Sequence, residues 1–490
     1  MIKLENKNLI LAITCLLSIA CLPVAAFCEQ APEEIWSKRY DRAGEDRAKR
    51  LCVDRDGNIY VAGYSNNGSN NDLTIIKYSP NGIPIWVRNI DKGGVDEGHD
   101  IILDDLGYIY VAGCTKGANL DGFIVKMDSN GDTVWERSHD VSGSKLYSLT
   151  SDNTGNIFVC GYSDAGGASK NFFAAKCNVS GETFLWTYTY DSGNNDEAKA
   201  IAVAPDGSSY VTGVANDNNI FTVKLDSFGN TAWTAAVAGS SSNVAGNDIS
   251  LTSDRSILVA GTSNTGFTDN CILINYRSDS SVAWTQTIDK GGIDRGFSVM
   301  VDQSGYIYIG AESYNTANFD FDWLIAKFTS DGSPLWTRYY DSGDTDREPD
   351  LKTDASGYVY LTGYSHNGAN NDFLTIKYTT VPGILPPQST GEVRIGSTGK
   401  QGIVYPLQGD KAIIAVKPAT AGRIVVKIYT VTGNYVTDNV FDVLDPLDSS
   451  KNYWLWDCYN SQGSPVVSGT YIVYVEGPGI RVSKKVIIIR

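Results

Sequence analysis

Aspartates recur at fixed distances from tryptophan in this sequence. Trp36, Trp86, Trp135, Trp186, Trp284 and Trp336 are followed five residues later by Asp41, Asp91, Asp140, Asp191, Asp289 and Asp341. Five of them carry a further aspartate ten residues on: Asp46, Asp96, Asp196, Asp294 and Asp346. Such acids offer two chemistries. They supply oxygen ligands for calcium, which takes about six to eight, or paired carboxylates for glycoside cleavage. Asp46, Asp96, Asp196, Asp294 and Asp346 are therefore candidate ligand-binding residues, and a calcium ion is the one cofactor such loops could hold. The competing expectation is that short acidic side chains cap their own turns. A feature repeated in most units builds the units, whereas a site is singular, and nothing picks one carboxylate pair from so many.

Other catalytic material is sparse. His99, His139 and His366 are the three histidines of a 490-residue chain and occupy unrelated positions. Lys77, Lys126, Lys176, Lys224, Lys327 and Lys377 recur at one place, with Asn275 the exception, and read as structural amines. There is no nucleophile elbow, P-loop, zinc signature or EF-hand. Nine cysteines fall singly, without a CxxC, and read as buried thiols. The formal charge of −16 excludes nucleic acid as an expected partner. The acidity is concentrated in residues 32–380, which hold 27 basic and 46 acidic side chains. No catalytic residue is assigned, and the chain is expected not to be an enzyme.

The elements that position these residues follow from an internal repeat. Tryptophans at 36, 86, 135, 186, 233, 284 and 336 are spaced by 47 to 52 residues, a period of solenoids, propellers or arrays. Each unit holds four short runs rich in Val, Ile, Tyr and Phe, separated by Gly, Asn, Asp and Ser, which predicts four strands. Gly57, Gly107, Gly155, Gly207, Gly305 and Gly357 mark one hairpin turn, where Arg255 stands in the fifth unit. The Trp233 unit lacks both acids, with Ala238 and Asn243 in their places. The seventh unit ends near Tyr378 without its Trp strand, and an orphan Trp strand, residues 34–41, lies at the other end of the array. Pairing of the two closes a ring. The fold expected is all-β: a seven-bladed β-propeller over 32–380, its last blade closed by the N-terminal strand, followed by a small β-sandwich. The tryptophans are expected to pack between blades.

Gly-Asn-Ile-Tyr-Val-Ala-Gly-Tyr-Ser at 57–65, the Asp-led strand 72–78 ending in Lys-Tyr, and Gly-x3-Trp at 82–86 resemble the SBBP-type β-propeller repeat of bacterial secreted proteins. The resemblance implies a propeller and carries no catalytic motif. After a Pro-rich linker at 381–391, residues 392–490 show strands of another rhythm, expected at 412–416, 422–429, 453–458, 469–476 and 482–489. Val425–Gly433, Trp456-Asp457 with Asn460–Gly463, and Val467–Tyr471 through to Arg490 resemble the FlgD-like immunoglobulin-type domain. That resemblance implies display, attachment or export.

Lys3 and Lys7 precede an apolar run from Leu9 to Val24 ending in Val24-Ala25-Ala26, which predicts a signal peptide over 1–26. The mature chain is expected outside the cell or at its surface. Its expected function is that of a secreted or surface-associated binding scaffold, recognising a glycan or protein through the propeller's loop face and attached through the C-terminal domain. A carbohydrate-active hydrolase or lyase and a calcium-dependent adhesin are the alternatives.

Overall fold

The computed structural model describes residues 31–379 and 391–490, apart from 43, 117–119, 140–142, 153, 165–168, 179, 182, 241–242, 265–267, 355–356, 398–402, 405, 407–410 and 445–451. The expected leader and nearly all of the expected linker lie outside these residues. Among the described residues the fold is all-β, and no helix is long and apolar enough to cross a membrane.

Four-stranded antiparallel sheets repeat through the first part of the chain. Strand β1, Glu34–Tyr40, precedes the first complete unit, which is β2 (Asp46–Val53), β3 (Ile59–Asn66), β4 (Asn71–Tyr78) and β5 (Pro84–Ile90), hydrogen-bonded in that order. Five further sheets have the same order, and the seventh is made of Asp346–Thr353, Val359–His366, Asn371–Tyr378 and β1. Strand β1 pairs antiparallel with Asn371–Tyr378, from Glu34 opposite Tyr378 to Tyr40 opposite Phe373. The two middle strands of each unit are almost wholly buried, which is why their sequences are near-continuous apolar runs.

The β2–β3 turn shows how the sequence punctuates the strands. Asp54 accepts the N–H groups of Asp56 and Asn58 at 3.0 and 2.8 Å, and Gly57 takes a φ of +79°. The fifth unit reaches the same left-handed conformation with Arg255 at +67°, a strained choice for a residue with a Cβ.

Successive sheets pack face to face, and the indoles seal the joints. Trp86 donates to the carbonyl of Ser129 at 3.3 Å in the next unit's turn, and a Cβ on Gly131 there would lie 3.2 Å from its ring. Trp36 does the same from the seventh sheet to the first, donating to Pro80 at 3.2 Å, with Gly82 so close that a Cβ would fall 2.8 Å from the indole. The apolar core follows suit: Tyr360 and Phe373 of the seventh sheet share one cluster with Ala48, Leu51, Val61 and Ile76 of the first.

The C-terminal region has its own core, built on Val426, Ile428, Trp456, Val473 and Ile488. It combines a three-stranded sheet (Val393–Ser397, Ala412–Val416, Tyr453–Trp456) with a five-stranded one. The five strands run in the order Ile403–Val404, Ile480–Ile488, Gly469–Gly477, Gly422–Thr430, Tyr435–Val443. Strands 393–397, 403–404 and 435–443 were not expected from the sequence. The last of these is an edge strand whose outer face carries the exposed Asp438 and Asp442, with Asn439 on the other side, so its composition reads as a loop.

Candidate functional site

The five aspartates expected to bind a ligand do not meet. Each lies at or next to the start of the first strand of a different sheet, is buried, and accepts the N–H of the residue four places earlier. Arg42 donates to Asp46 at 2.6 Å, Lys92 to Asp96 at 2.7 Å, Ser192 to Asp196 at 2.6 Å, Lys290 to Asp294 at 2.7 Å and Ser342 to Asp346 at 2.9 Å. Burial pushes the carboxyls of Asp46 and Asp294 upward and that of Asp346 up to about 6. Asp91, Asp191, Asp289 and Asp341 likewise accept the N–H two residues on, at 2.6–2.8 Å. This is the geometry of turn capping. The recurrent lysines are also accounted for: Lys77, Lys126, Lys176, Lys224, Lys327 and Lys377 lie over the rings of Tyr60, Tyr110, Phe158, Tyr210, Tyr308 and Tyr360 at 4.8–5.3 Å.

A different set of residues converges. The first strand of each of the seven four-stranded sheets contains a β-bulge, which leaves an extra residue outside the ladder. In the first sheet Ala48 pairs with Gly63 and Arg50 with Ala62, so Lys49 is extra. The bulge explains the glycine of the β3 motif: a Cβ on Gly63 would stand 2.0 Å from the carbonyl oxygen of Arg47. The corresponding residues are His99, Tyr147, Lys199, Asn247 and Phe297; in the seventh sheet Pro349 holds this place, and Glu348, one residue earlier at a φ of +51°, reaches the shared cavity instead. Together with Lys49, the first five and Glu348 line this one cavity of about 440 Å³, to which Arg50, Tyr64, Glu97 and Lys145 also contribute. Sequence reasoning missed these residues. The signal was a slip in the alternation of each first strand, where Ala48 and Leu51 are both buried but three positions apart.

The cavity is charged and aromatic. Lys49 pairs with Glu348 at 2.5 Å, Lys145 with Glu97 at 3.0 Å, and Lys199 with Glu197 behind the wall. The Lys199 ammonium lies 4.2 Å from the ring centre of Tyr147, and the His99 ring meets Tyr147 edge-on at 5.4 Å. Burial, reinforced by Lys145, Lys49, Lys199 and Arg50, drives the His99 pKa well below the usual range, so its imidazole is neutral. Arg50 also borders a second cavity of about 270 Å³, shared with Asp100, Asp248 and Lys352. Burial raises the Asp100 carboxyl to about 6. The lining of the larger cavity carries four cationic side chains against two acids, Glu97 and Glu348, in a chain that is acidic as a whole.

Among the described residues, three groups bring ligating atoms close enough for a metal: Asp41, Asp46 and Asp372; Asp320, Asp322 and Asp341; and Glu97, His99 and Cys114. The first two are all-carboxylate clusters, each joining strand residues (Asp46 and Asp372; Asp320 and Asp322) to one loop aspartate, Asp41 or Asp341. The third borders the cavity.

The beta-propeller repeat family model, SBBP, matches residues 35–69, which span β1 to β3. No curated protein matches the chain. Among solved structures, that of PorZ, a surface component of the type-IX secretion system of Porphyromonas gingivalis, aligns with a TM-score of 0.46 at 12% identity, over 90% of this chain. This chain spans 59% of that one. A protein of unknown function from Dyadobacter fermentans aligns with a TM-score of 0.45 at 10% identity, over 71% of this chain and 98% of its own. Sqt1 from Chaetomium thermophilum gives 0.45 at 12% identity, over 78% and 96%. The repeat match and the sheets agree on an all-β protein with a propeller-like repeat.

Proposed function

We propose that this chain is a non-enzymatic binding scaffold acting outside the cell or at its surface: a seven-bladed ring whose loop face and axial cavity take an extracellular ligand, joined to a C-terminal module that serves attachment or display. Closure of the ring is supported by the β1 pairing and by Trp36, which joins the seventh sheet to the first as Trp86 joins the first to the second. Export is supported by the apolar leader-like segment ending near Ala26. The C-terminal role rests on its separate core and its FlgD-like sequence features.

One observation carries the binding function. At the bulge the backbone geometry repeats six times while the side chains differ, as Lys, His, Tyr, Lys, Asn and Phe, and in the seventh sheet Glu348 reaches the same cavity from beside Pro349. Elsewhere in the repeat the chemistry is copied with the geometry, as at the turn glycines, the tryptophans and the ring-capping lysines. Varied chemistry on a repeated frame is what a singular site requires, and convergent charged and aromatic groups in a concave pocket are the usual form of one. Each lining cation has an acidic partner, Glu348, Glu97, Glu197 or Asp350, so the cavity offers paired charges and aromatic faces to a polar glycan or protein segment.

Glycan and protein arrays probed with the purified chain test this. Binding of a glycan or protein ligand is expected, reduced at least tenfold in Lys199→Ala and in Phe297→Ala, with melting temperatures within a few degrees of the parent. Binding unaffected by both substitutions would place the ligand elsewhere. Turnover of a polysaccharide, abolished by one Asp→Asn change, would overturn the scaffold in favour of an enzyme.

A further inference from the structure

We infer that Glu97, His99 and Cys114 form a transition-metal site of the zinc class in the wall of the cavity, with a coordination position left open towards it. Glu97 and His99 are on Val95–Leu103, and Cys114, opposite Glu97 in the register, is on Ile109–Lys116. The bulge between Gly98 and Asp100 is what brings His99 in beside Glu97.

The donor atoms form a nearly equilateral triangle. Cys114 Sγ is 3.5 Å from His99 Nε2 and 3.8 Å from Glu97 Oε2, and His99 Nε2 is 3.6 Å from Glu97 Oε2. A tetrahedral zinc with bonds of about 2.3 Å to sulfur and about 2.0 Å to nitrogen and oxygen holds its sulfur about 3.5 Å from the other donors, which stand about 3.3 Å apart. The triangle fits such an ion with shifts of a few tenths of an ångström. One thiolate, one imidazole and one carboxylate favour zinc over calcium or magnesium, which prefer oxygen alone. Three protein donors leave a fourth position free, as in sites where zinc binds water or a ligand. Asn71 Nδ2 reaches the other oxygen of Glu97 at 3.4 Å and orients the carboxylate from outside the donor triangle.

Two features oppose the ion. Burial pushes the Cys114 thiol up to about 12, so metal binding must release the thiol proton to solvent. Lys145 donates to the same Glu97 oxygen that faces the donors, and must swing towards the cavity for the ion to enter. Lys49 and Lys199 are already paired with Glu348 and Glu197. Lys145 is thus the built-in competitor, and its removal should tighten metal binding.

The test uses the full chain, stripped with a chelator and titrated with zinc by calorimetry and with cobalt(II) by absorption. One metal per chain is expected, with proton release and a thiolate-to-cobalt charge-transfer band. Cys114→Ser should abolish the band, His99→Gln and Glu97→Gln should each weaken zinc binding by at least about tenfold, and Lys145→Met should strengthen it. Unfolding curves on each variant show that the fold persists. Absence of stoichiometric binding, a band that survives Cys114→Ser, or an affinity indifferent to His99→Gln in a folded variant would overturn the site. The probe is the metal alone, so the outcome is independent of which ligand the cavity takes.

Discussion

The carboxylate of Asp350 accepts the backbone N–H of Leu51 at 2.8 Å, joining the first strands of the seventh and first sheets across 299 positions of sequence. Asp100 does the same for Leu149 at 2.9 Å, and Asp248 for Val299 at 2.8 Å. The seam between the two ends of the array is therefore built like an interior joint. Asp350 is fully buried, and its other oxygen lies 3.9 Å from Arg50 and 3.5 Å from Lys352. Asp350→Ala should cost roughly 3 kcal/mol, because it strands a buried donor and removes the partner of two cations. Asp350→Asn keeps an acceptor and should cost about half as much. Urea unfolding of both variants checks the order; equal, negligible losses would remove Asp350 from the joint.

Removal of residues 32–42 takes away β1 and with it Trp36. The loss of main-chain hydrogen bonds to Asn371–Tyr378 and of the indole's packing should lower stability by roughly 5 kcal/mol. A melting temperature equal to that of the parent would mean that the strand contributes nothing to the seventh sheet.

The fifth unit offers a coupling experiment. Tyr60 faces Lys77 across β3 and β4, whereas the fifth unit pairs Leu258 with Asn275, so ring and ammonium are absent together. Leu258→Tyr with Asn275→Lys should restore the contact. A double-mutant cycle is expected to give a favourable coupling of about 0.5–1 kcal/mol; a coupling of zero would show that the two sites vary independently.

The stability contributed by Asp100 and Asp346 should fall as pH rises from about 4 to 6. Burial raises their carboxyls from 3.8 to about 6, so in this window each binds more proton in the native chain than in the unfolded one. Asp346→Asn mimics the protonated group. It should match the parent near pH 4 and exceed it near pH 7.5 by up to about 2 kcal/mol. Unfolding free energies at the two values decide; a variant weaker at pH 7.5 than at pH 4, relative to the parent, would contradict the assignment.

The repeat made most of the architecture legible from sequence, because buried β-strands and left-handed turns constrain residue type directly. The runs around Tyr60 and Ile75 could be read as strands, and Gly57 as a turn. The cavity was not legible for the same reason in reverse. Lys49 and Phe297 have no type in common; they share a backbone irregularity, and a bulge shows in sequence only as a one-residue slip in alternation. Repetition drew attention to Asp46 and its counterparts, which cap turns in separate sheets, while the convergent residues were those that the repeat did not copy. Strand 435–443 escaped because an edge strand buries one side only.

The segment that the chain makes early, Glu34–Tyr40, finds its partner only when Asn371–Tyr378 has been made. From then until β1 docks, the seventh sheet presents an unpaired edge of complementary register, open to any copy of β1 within reach. Refolding at high concentration will set the chain's own copy against a neighbour's, and exchange of this one strand yields reciprocal dimers with every native contact preserved. Dilution favours the monomer.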